Sequence, residues 1–248
     1  MLLIIIGGIG FLTWDDIKTN GIHLRKYRMQ SKVIFTVTSA LILLPAAFFF
    51  FVEFSGGEWS DISIKERILY SFFQAVTPRT AGFNTVDLTA LSEPGVVITI
   101  ILMLIGGSPG STAGGMKTTT VAVLVVMALS VFKREDDANI YNRRIATETL
   151  RQAAAILLMY TTLFIAGGLL ISCIEEIPVL TAFFETASAI GTVGLSLGVT
   201  PELGLLSRIV LIILMILGRV GGLTLIFATW SFGRNKVSRL PQEKITVG

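Results

Sequence analysis

Pro178-Val-Leu-Thr-Ala-Phe-Phe-Glu-Thr-Ala-Ser-Ala-Ile190 runs almost directly into Thr192-Val-Gly-Leu-Ser196, a short apolar helix candidate followed by a strip centred on Gly194. The same arrangement stands earlier, where Arg67-Ile-Leu-Tyr-Ser-Phe-Phe-Gln-Ala-Val-Thr-Pro78 leads into Thr80-Ala-Gly-Phe-Asn84. Neither stretch reaches the roughly 20 residues needed to cross a bilayer core of about 30 Å. Proline opens the second one, where helices accept it. A short helix that dips in and a glycine-centred segment that returns make a re-entrant hairpin. Bare backbone at membrane depth is tolerable only when buried in protein or lining a watery path. Glycine there adopts backbone angles that other residues resist, which lets successive carbonyls face one way.

Working outward, Gly82 and Gly194 lie 112 residues apart, and so do Ile105-Gly106-Gly107 and Leu217-Gly218-Arg219. Each strip glycine therefore precedes its downstream helix glycine by 24 residues. Ile6-Gly7-Gly8 ends a third copy of the descending helix. The expected fold is an all-α integral membrane protein of repeated helix–re-entrant pore loop–helix units, two complete repeats plus the end of a third. Residues 1–31 close the incomplete preceding repeat and its cytoplasmic loop. Residues 32–149 form the repeat with Gly82, a broken second helix and a cytoplasmic loop; 150–232 form the last repeat with Gly194; 233–248 are a cytoplasmic tail. Close helix packing also enriches membrane helices in glycine; that account suits Gly167-Gly168 and Gly221-Gly222 better than Gly82 and Gly194.

Composition agrees. The 248 residues are 52% hydrophobic and 15% charged, with a mean hydropathy of +0.76, against about 25% charged in soluble domains. Residues 33–52, 95–116 and 152–174 carry no charge, and each run is long enough to span. Fourteen of the twenty Lys and Arg fall in 15–32, 133–151 and 233–248, which makes those segments, and the C-terminus, cytoplasmic. At the opposite ends stand Glu53, Glu58, Asp61, Glu66, Asp87 and Glu93, then Glu175, Glu176, Glu185 and Glu202. They read as a solvated rim or as a cation-attracting vestibule. Phe48 to Phe51 are expected to face lipid, and His23 to be a solvated surface residue. A single Cys173 excludes an internal disulfide and a Cys-based metal cluster. The net charge of +3 argues topology rather than nucleic-acid binding. The first basic residue, Lys18, follows the first apolar run, so no signal peptide is visible. No Ser/His/Asp set, paired His ligands or dinucleotide fingerprint argues for an enzyme.

Carbonyl oxygens held around an axis replace the hydration shell of a monovalent cation, and Thr192-Val-Gly shares the opening of the potassium-filter sequence TVGYG. The C-terminal end of a short helix aimed at the ion adds negative potential. In Gly106-Gly-Ser-Pro-Gly-Ser-Thr-Ala-Gly-Gly-Met-Lys117, five glycines and a proline break the descending helix in mid-membrane. The hydroxyls of Ser108, Ser111 and Thr112 and the flexible backbone suit an obstruction across a conduction path. Gly110 to Gly115 has the spacing of a phosphate-binding loop, but Met116 stands where Lys is required and no strand precedes it. Arg219 has ten uncharged residues before it and fourteen after, and an intramembrane cation usually faces a polar interior. Lys117 does the same or snorkels to the interface. Glu185 answers to Gln74 in the earlier copy and is placed to cap or brace its strip.

Four stretches carry a resemblance: Phe73-Gln-Ala-Val-Thr-Pro-Arg-Thr-Ala-Gly-Phe-Asn84, Gly114-Gly-Met-Lys-Thr118 with the loop before it, Ser188-Ala-Ile-Gly-Thr-Val-Gly-Leu195, and Gly218-Arg-Val-Gly221. The chain resembles the Trk/Ktr/HKT superfamily of potassium transporters, most closely the membrane subunit of bacterial Ktr-type uptake systems. The resemblance implies potassium uptake across the bacterial cytoplasmic membrane through a carbonyl-lined filter. By matching position the filter would be Thr80, Ala81, Gly82 and Phe83 with Thr192, Val193, Gly194 and Leu195, holding potassium as substrate at backbone carbonyls. An intramembrane gate would comprise Gly106, Gly107, Ser108, Gly110, Ser111, Thr112, Gly114, Gly115 and Lys117, with Arg219 opposite. A homodimer is implied, with a cytoplasmic regulatory ring that binds ATP/ADP or NAD on its own subunits, and no covalent cofactor. Such pores use four repeats, and Met1 falls inside what would be the second repeat's last helix. The expectation is a C-terminal half; the alternative is that two copies supply four strips. A Ser in place of a filter Gly in this superfamily is associated with sodium permeation, so the two further positions bear on selectivity. Other readings are a secondary transporter with broken helices around a midplane site, Arg219 binding an anion, and a non-conducting assembly subunit.

Overall fold

The computed structural model describes residues 1–56, 59 and 62–221. The expected end of the last helix and the 233–248 tail lie outside them. The first apolar run holds two helices. It forms α1 (Leu2–Gly8), breaks at Gly10, and restarts as α2 (Phe11–Asn20). Asp16 on α2 then caps the next helix, α3 (Met29–Phe51). Its Oδ2 accepts from the Arg28 backbone N–H at 3.1 Å and the Ser31 hydroxyl at 2.5 Å, placing negative charge at a helix N-terminus.

Local capping chemistry sets the next boundaries. Ser63-x-x-Glu66 forms a capping box at the start of α4 (Ile64–Val76). The Ser63 backbone N–H, and secondly its hydroxyl, hold the Glu66 carboxyl below the usual carboxylate range. Ser92 caps α5 (Glu93–Leu104), accepting from Gly95 N–H at 3.2 Å. The helix that sequence breaks near Gly106 resumes as α6 (Thr118–Phe132). A two-stranded hairpin, β1 (Asn139–Ile140) with β2 (Arg143–Arg144), leads to α7 (Thr147–Glu175), then α8 (Val179–Ile190) and α9 (Leu205–Val220).

The core forms around α8, which packs against α5, α7 and α9. Ala182 and every residue from Phe184 to Ile190 are buried. One apolar cluster joins Phe49, Phe54, Met103, Phe184 and Leu195; a second joins Ile171, Ile190, Leu211 and Leu214. By contrast, α3 and α7, long and apolar enough to cross a membrane, turn residues such as Leu44, Phe51 and Leu158 outward. A helix apolar on its outer face has an apolar solvent there.

Two expectations about single side chains change. Phe48 to Phe51 do not share one surrounding, because four consecutive helical residues point around the whole circumference. Phe49 is fully buried and stacks on Phe54 at 6.0 Å, Phe51 faces out, and the Arg67 guanidinium lies 4.4 Å over the Phe50 ring. Nor are Glu53 and Glu175 merely solvated. Glu53 accepts from Ser92 N–H at 2.7 Å and from the Ser92 hydroxyl at 2.5 Å. Glu175 accepts from Gly204 N–H at 2.9 Å and from the Ser207 hydroxyl at 2.5 Å. Ser92 and Gly204 are 112 residues apart, so each carboxylate ties the end of one long helix to the start of α5 or α9. Glu175→Ala removes an acceptor from both groups and is expected to cost about 1–3 kcal/mol, read as a lowered unfolding midpoint in detergent. The exposed Glu202→Ala serves as the control, with a change near zero.

Candidate functional site

Both strips leave the C-terminal end of a short helix and are held there by backbone groups. After α4, the Thr77 carbonyl accepts from Ala81 N–H at 3.1 Å and Gly82 N–H at 3.2 Å. The Thr77 hydroxyl donates to Phe83 O at 2.6 Å and accepts from Phe83 N–H at 3.0 Å. After α8, the Ser188 carbonyl accepts from Val193 N–H at 2.8 Å and its hydroxyl from Gly194 N–H at 3.1 Å. The φ sign alternates along both. Thr80 and Gly82 stand at 62° and 70°, Thr192 and Gly194 at 51° and 93°, with Ala81 and Val193 between them on the negative side. Positive φ is ordinary for Gly and a steric outlier for β-branched Thr, at about 1–3 kcal/mol per residue. The same outlier at the same place in both strips marks a conformation that the surroundings enforce.

The strips touch. A Cβ on Gly82 would overlap the Val193 carbonyl oxygen. A Cβ on Gly194 would meet nothing within 4 Å and would project into a cavity of about 690 Å³ that Ser188, Glu185, Met215 and Arg219 also line. The side chains of Val193 and Leu195 are in the core, so these residues offer the cavity their backbone. Phe83 is exposed.

The residues between α5 and α6 fold into a loop with a pinched neck. Gly106 N–H donates to Met116 O at 2.9 Å, Met116 N–H to Leu104 O at 3.1 Å, and Thr118 N–H to Gly107 O at 3.1 Å. Inside the loop, the Ser111 hydroxyl donates to Ser108 O at 2.6 Å, and the Ser108 and Thr118 hydroxyls are 3.0 Å apart. The loop is tied outward as well: Ser108 N–H donates to Gly8 O at 2.8 Å, Phe11 N–H to Gly110 O at 3.3 Å, and Gly115 N–H to Gly218 O at 3.3 Å. Its tip sits under the second strip, where a Cβ on Gly114 would collide with the Thr192 side chain. Two cations converge on consecutive carbonyls, with Lys117 Nζ donating to Ala113 O at 2.5 Å and the Arg219 guanidinium donating to Thr112 O. The structure thus brings the second strip, the loop and Arg219 into one constellation, with the first strip alongside.

Glu185 is 3% exposed and accepts from the Ser196 hydroxyl at 2.7 Å, Leu197 N–H at 3.0 Å and the Thr200 hydroxyl at 2.5 Å. It holds the chain leaving the second strip. Gln74 does not repeat this, since its Nε2 donates to the Thr99 hydroxyl on α5 at 3.4 Å. Thr77 and Ser188 escaped sequence reasoning, although each is a hydroxyl residue five or six places before a strip glycine. Among the described residues no His/Cys/Asp/Glu group could hold a metal ion.

Apolar helices of spanning length, short buried helices between them and outward-facing leucine and phenylalanine define an all-α membrane protein. The chain belongs to the TrkH family, described as cation transport proteins, whose model matches residues 1–231; this is a family of transporters, not of enzymes. It is 36% identical to the potassium/sodium uptake protein NtpJ of Enterococcus hirae, over 99% of this chain and 56% of that protein. It is also 36% identical to the Ktr system potassium uptake protein B of Bacillus subtilis, over 99% of this chain and 55% of the relative. The crystal structure of the potassium transporter TrkH from Vibrio parahaemolyticus superposes with a TM-score of 0.74 at 21% identity, covering 94% of this chain and 52% of that one. The chain spans about half the length of the relatives it matches.

Glu185→Ala should leave the Ser196 hydroxyl and Leu197 N–H without their acceptor, while the Thr200 hydroxyl keeps Ser196 Oγ at 2.8 Å. Amide exchange across 194–200 is expected to rise about tenfold, for one or two lost hydrogen bonds, while exchange in α5 stays as it was.

Proposed function

We propose that this chain forms part of a potassium uptake pathway, with the two strips as filter segments and the loop 106–117 as its gate. The alternating φ at Thr80–Gly82 and Thr192–Gly194 carries the reading. That alternation turns successive carbonyls toward one side, where they can replace a potassium ion's hydration shell. The C-terminal ends of α4 and α8 add negative potential. Lys117 and Arg219, both bonded to the loop tip, keep it seated under Thr192.

In this reading the chain holds two re-entrant units and the end of a third, bounded at 31, 149 and 232, with 233–248 as a cytoplasmic tail. The filter set is Thr80, Ala81, Gly82, Phe83, Thr192, Val193, Gly194 and Leu195, and the further strips come from additional polypeptide. The assembly is a homodimer in the bacterial cytoplasmic membrane, C-terminus inside, with a nucleotide-binding ring beneath it. Arg219 donating to a loop carbonyl supports a latch over an anion site.

Rubidium uptake by potassium-starved, uptake-deficient cells tests this, in the complete transporter. Gly194→Ser puts a side chain into the open cavity at a strained φ and is expected to lower potassium preference over sodium about tenfold, the scale of 1–3 kcal/mol of backbone strain. Unchanged selectivity rejects the filter assignment. Deleting residues 108–113 is expected to raise flux; an inserted, stable variant with no gain rejects the gate.

A further inference from the structure

Thr77 is the C-cap of α4, is buried, and holds the first strip by more than its N–H groups. Its hydroxyl donates to Phe83 O at 2.6 Å while accepting from Phe83 N–H at 3.0 Å. The Phe83 carbonyl is therefore already spent. Among the described residues, no hydrogen bond ends on the other strip carbonyls, from Thr80 to Gly82 and from Thr192 to Leu195. The 112-residue offset accounts for the difference. Phe83 answers to Leu195 and Thr77 to Ala189, and alanine has no hydroxyl to donate. The second strip's hydroxyl sits one place earlier, on Ser188, where it accepts from Gly194 N–H at 3.1 Å and donates to no carbonyl of its strip.

We propose that Thr77 is a specificity-setting positioning residue, which removes the Phe83 carbonyl from the ligands of the transported cation. The first strip then offers Thr80, Ala81 and Gly82, while the second offers Leu195 as well as Thr192, Val193 and Gly194. Phe83 keeps its place in the strip without being a ligand. A hydroxyl hydrogen on its oxygen brings positive charge to where an ion would bind, and the 2.6 Å bond fixes the direction of the carbonyl. A cation that meets fewer oxygens where the chain leaves the strip is held more weakly there, and conduction needs sites weak enough to leave. The inference rests on the filter reading above and deepens it, by naming the residue that sets how many oxygens each strip contributes.

Steady-state rubidium uptake by the complete transporter tests it, with unfolding midpoints in potassium and in sodium, measured in detergent, as a second readout. Thr77→Val keeps the shape of the side chain, drops the hydroxyl and frees the carbonyl. It is expected to lower the rubidium KM about fivefold, the scale of one exchanged hydrogen bond, with no rise in maximal rate. Its midpoint should gain more from potassium than from sodium. Thr77→Ser, which retains the hydroxyl, should restore the starting KM. Ala189→Thr gives the second strip the hydroxyl it lacks and should raise KM by a similar factor. The two variants move in opposite directions, so poor folding of one does not decide the matter. A raised KM in Thr77→Val, with the midpoint lowered equally in both ions, overturns the proposal by reducing Thr77 to a brace. Unmoved KM in both Thr77→Val and Ala189→Thr overturns it as well. Gly194→Ser, run alongside, separates the two readings. If it lowers potassium preference while both variants leave KM unmoved, the ligand asymmetry falls and the filter stands. Potassium preference unmoved by Gly194→Ser removes the filter and the asymmetry together.

Discussion

Backbone that leaves a helix inside an apolar layer must still find partners for its N–H and carbonyl groups, and the rest of this molecule is organised around that requirement. Thr77 and Ser188 take up N–H groups of the strips, and the Thr77 hydroxyl also donates to the Phe83 carbonyl. Glu185 collects the chain on the far side of the second strip. The loop between α5 and α6 closes its own neck and hands the N–H groups of Ser108 and Gly115 to Gly8 and Gly218. Each segment without regular structure is thereby over-determined, which is what allows Thr80 and Thr192 to persist at positive φ.

Charge is handled the same way. Near the apolar interior, ionic groups are matched to peptide dipoles and hydroxyls more than to opposite charges. Lys117 and Arg219 take carbonyls at the loop tip, while Glu53, Glu175 and Glu185 take N–H and hydroxyl donors. The described ion pairs stand apart, in the Arg28–Asp15–Asp16 and Arg144–Asp137 groups of the basic segments. Pairing two buried charges requires desolvating both; a fixed dipole needs only one ion to give up water.

Much of this was legible in the chain. The charge-free runs and the glycine-centred strips are local signals, because hydropathy and backbone sterics act within a few residues. The grouping of the second strip, residues 106–117 and Arg219 was read through resemblance; in the structure Gly114 lies against Thr192 and Arg219 donates to Thr112 O. Other features gave no such signal. Four phenylalanines in a row look alike until the helix sends Phe49 into the core and Phe51 outward. An acidic cluster looks solvated until Glu53 and Glu175 are found at the first turns of α5 and α9.

The amino-acid sequence by itself determined that this is a membrane protein and that the helix reaching residue 105 breaks there, since both follow from composition and short-range stereochemistry. Only the tertiary structure decided what those pieces touch. The contact of Gly82 with Val193, the seat of Gly114 against Thr192 and the carbonyl of Thr112 that receives Arg219 all join groups tens of residues apart. Contacts between groups so distant along the chain are set by packing around α8, and no local pattern encodes them.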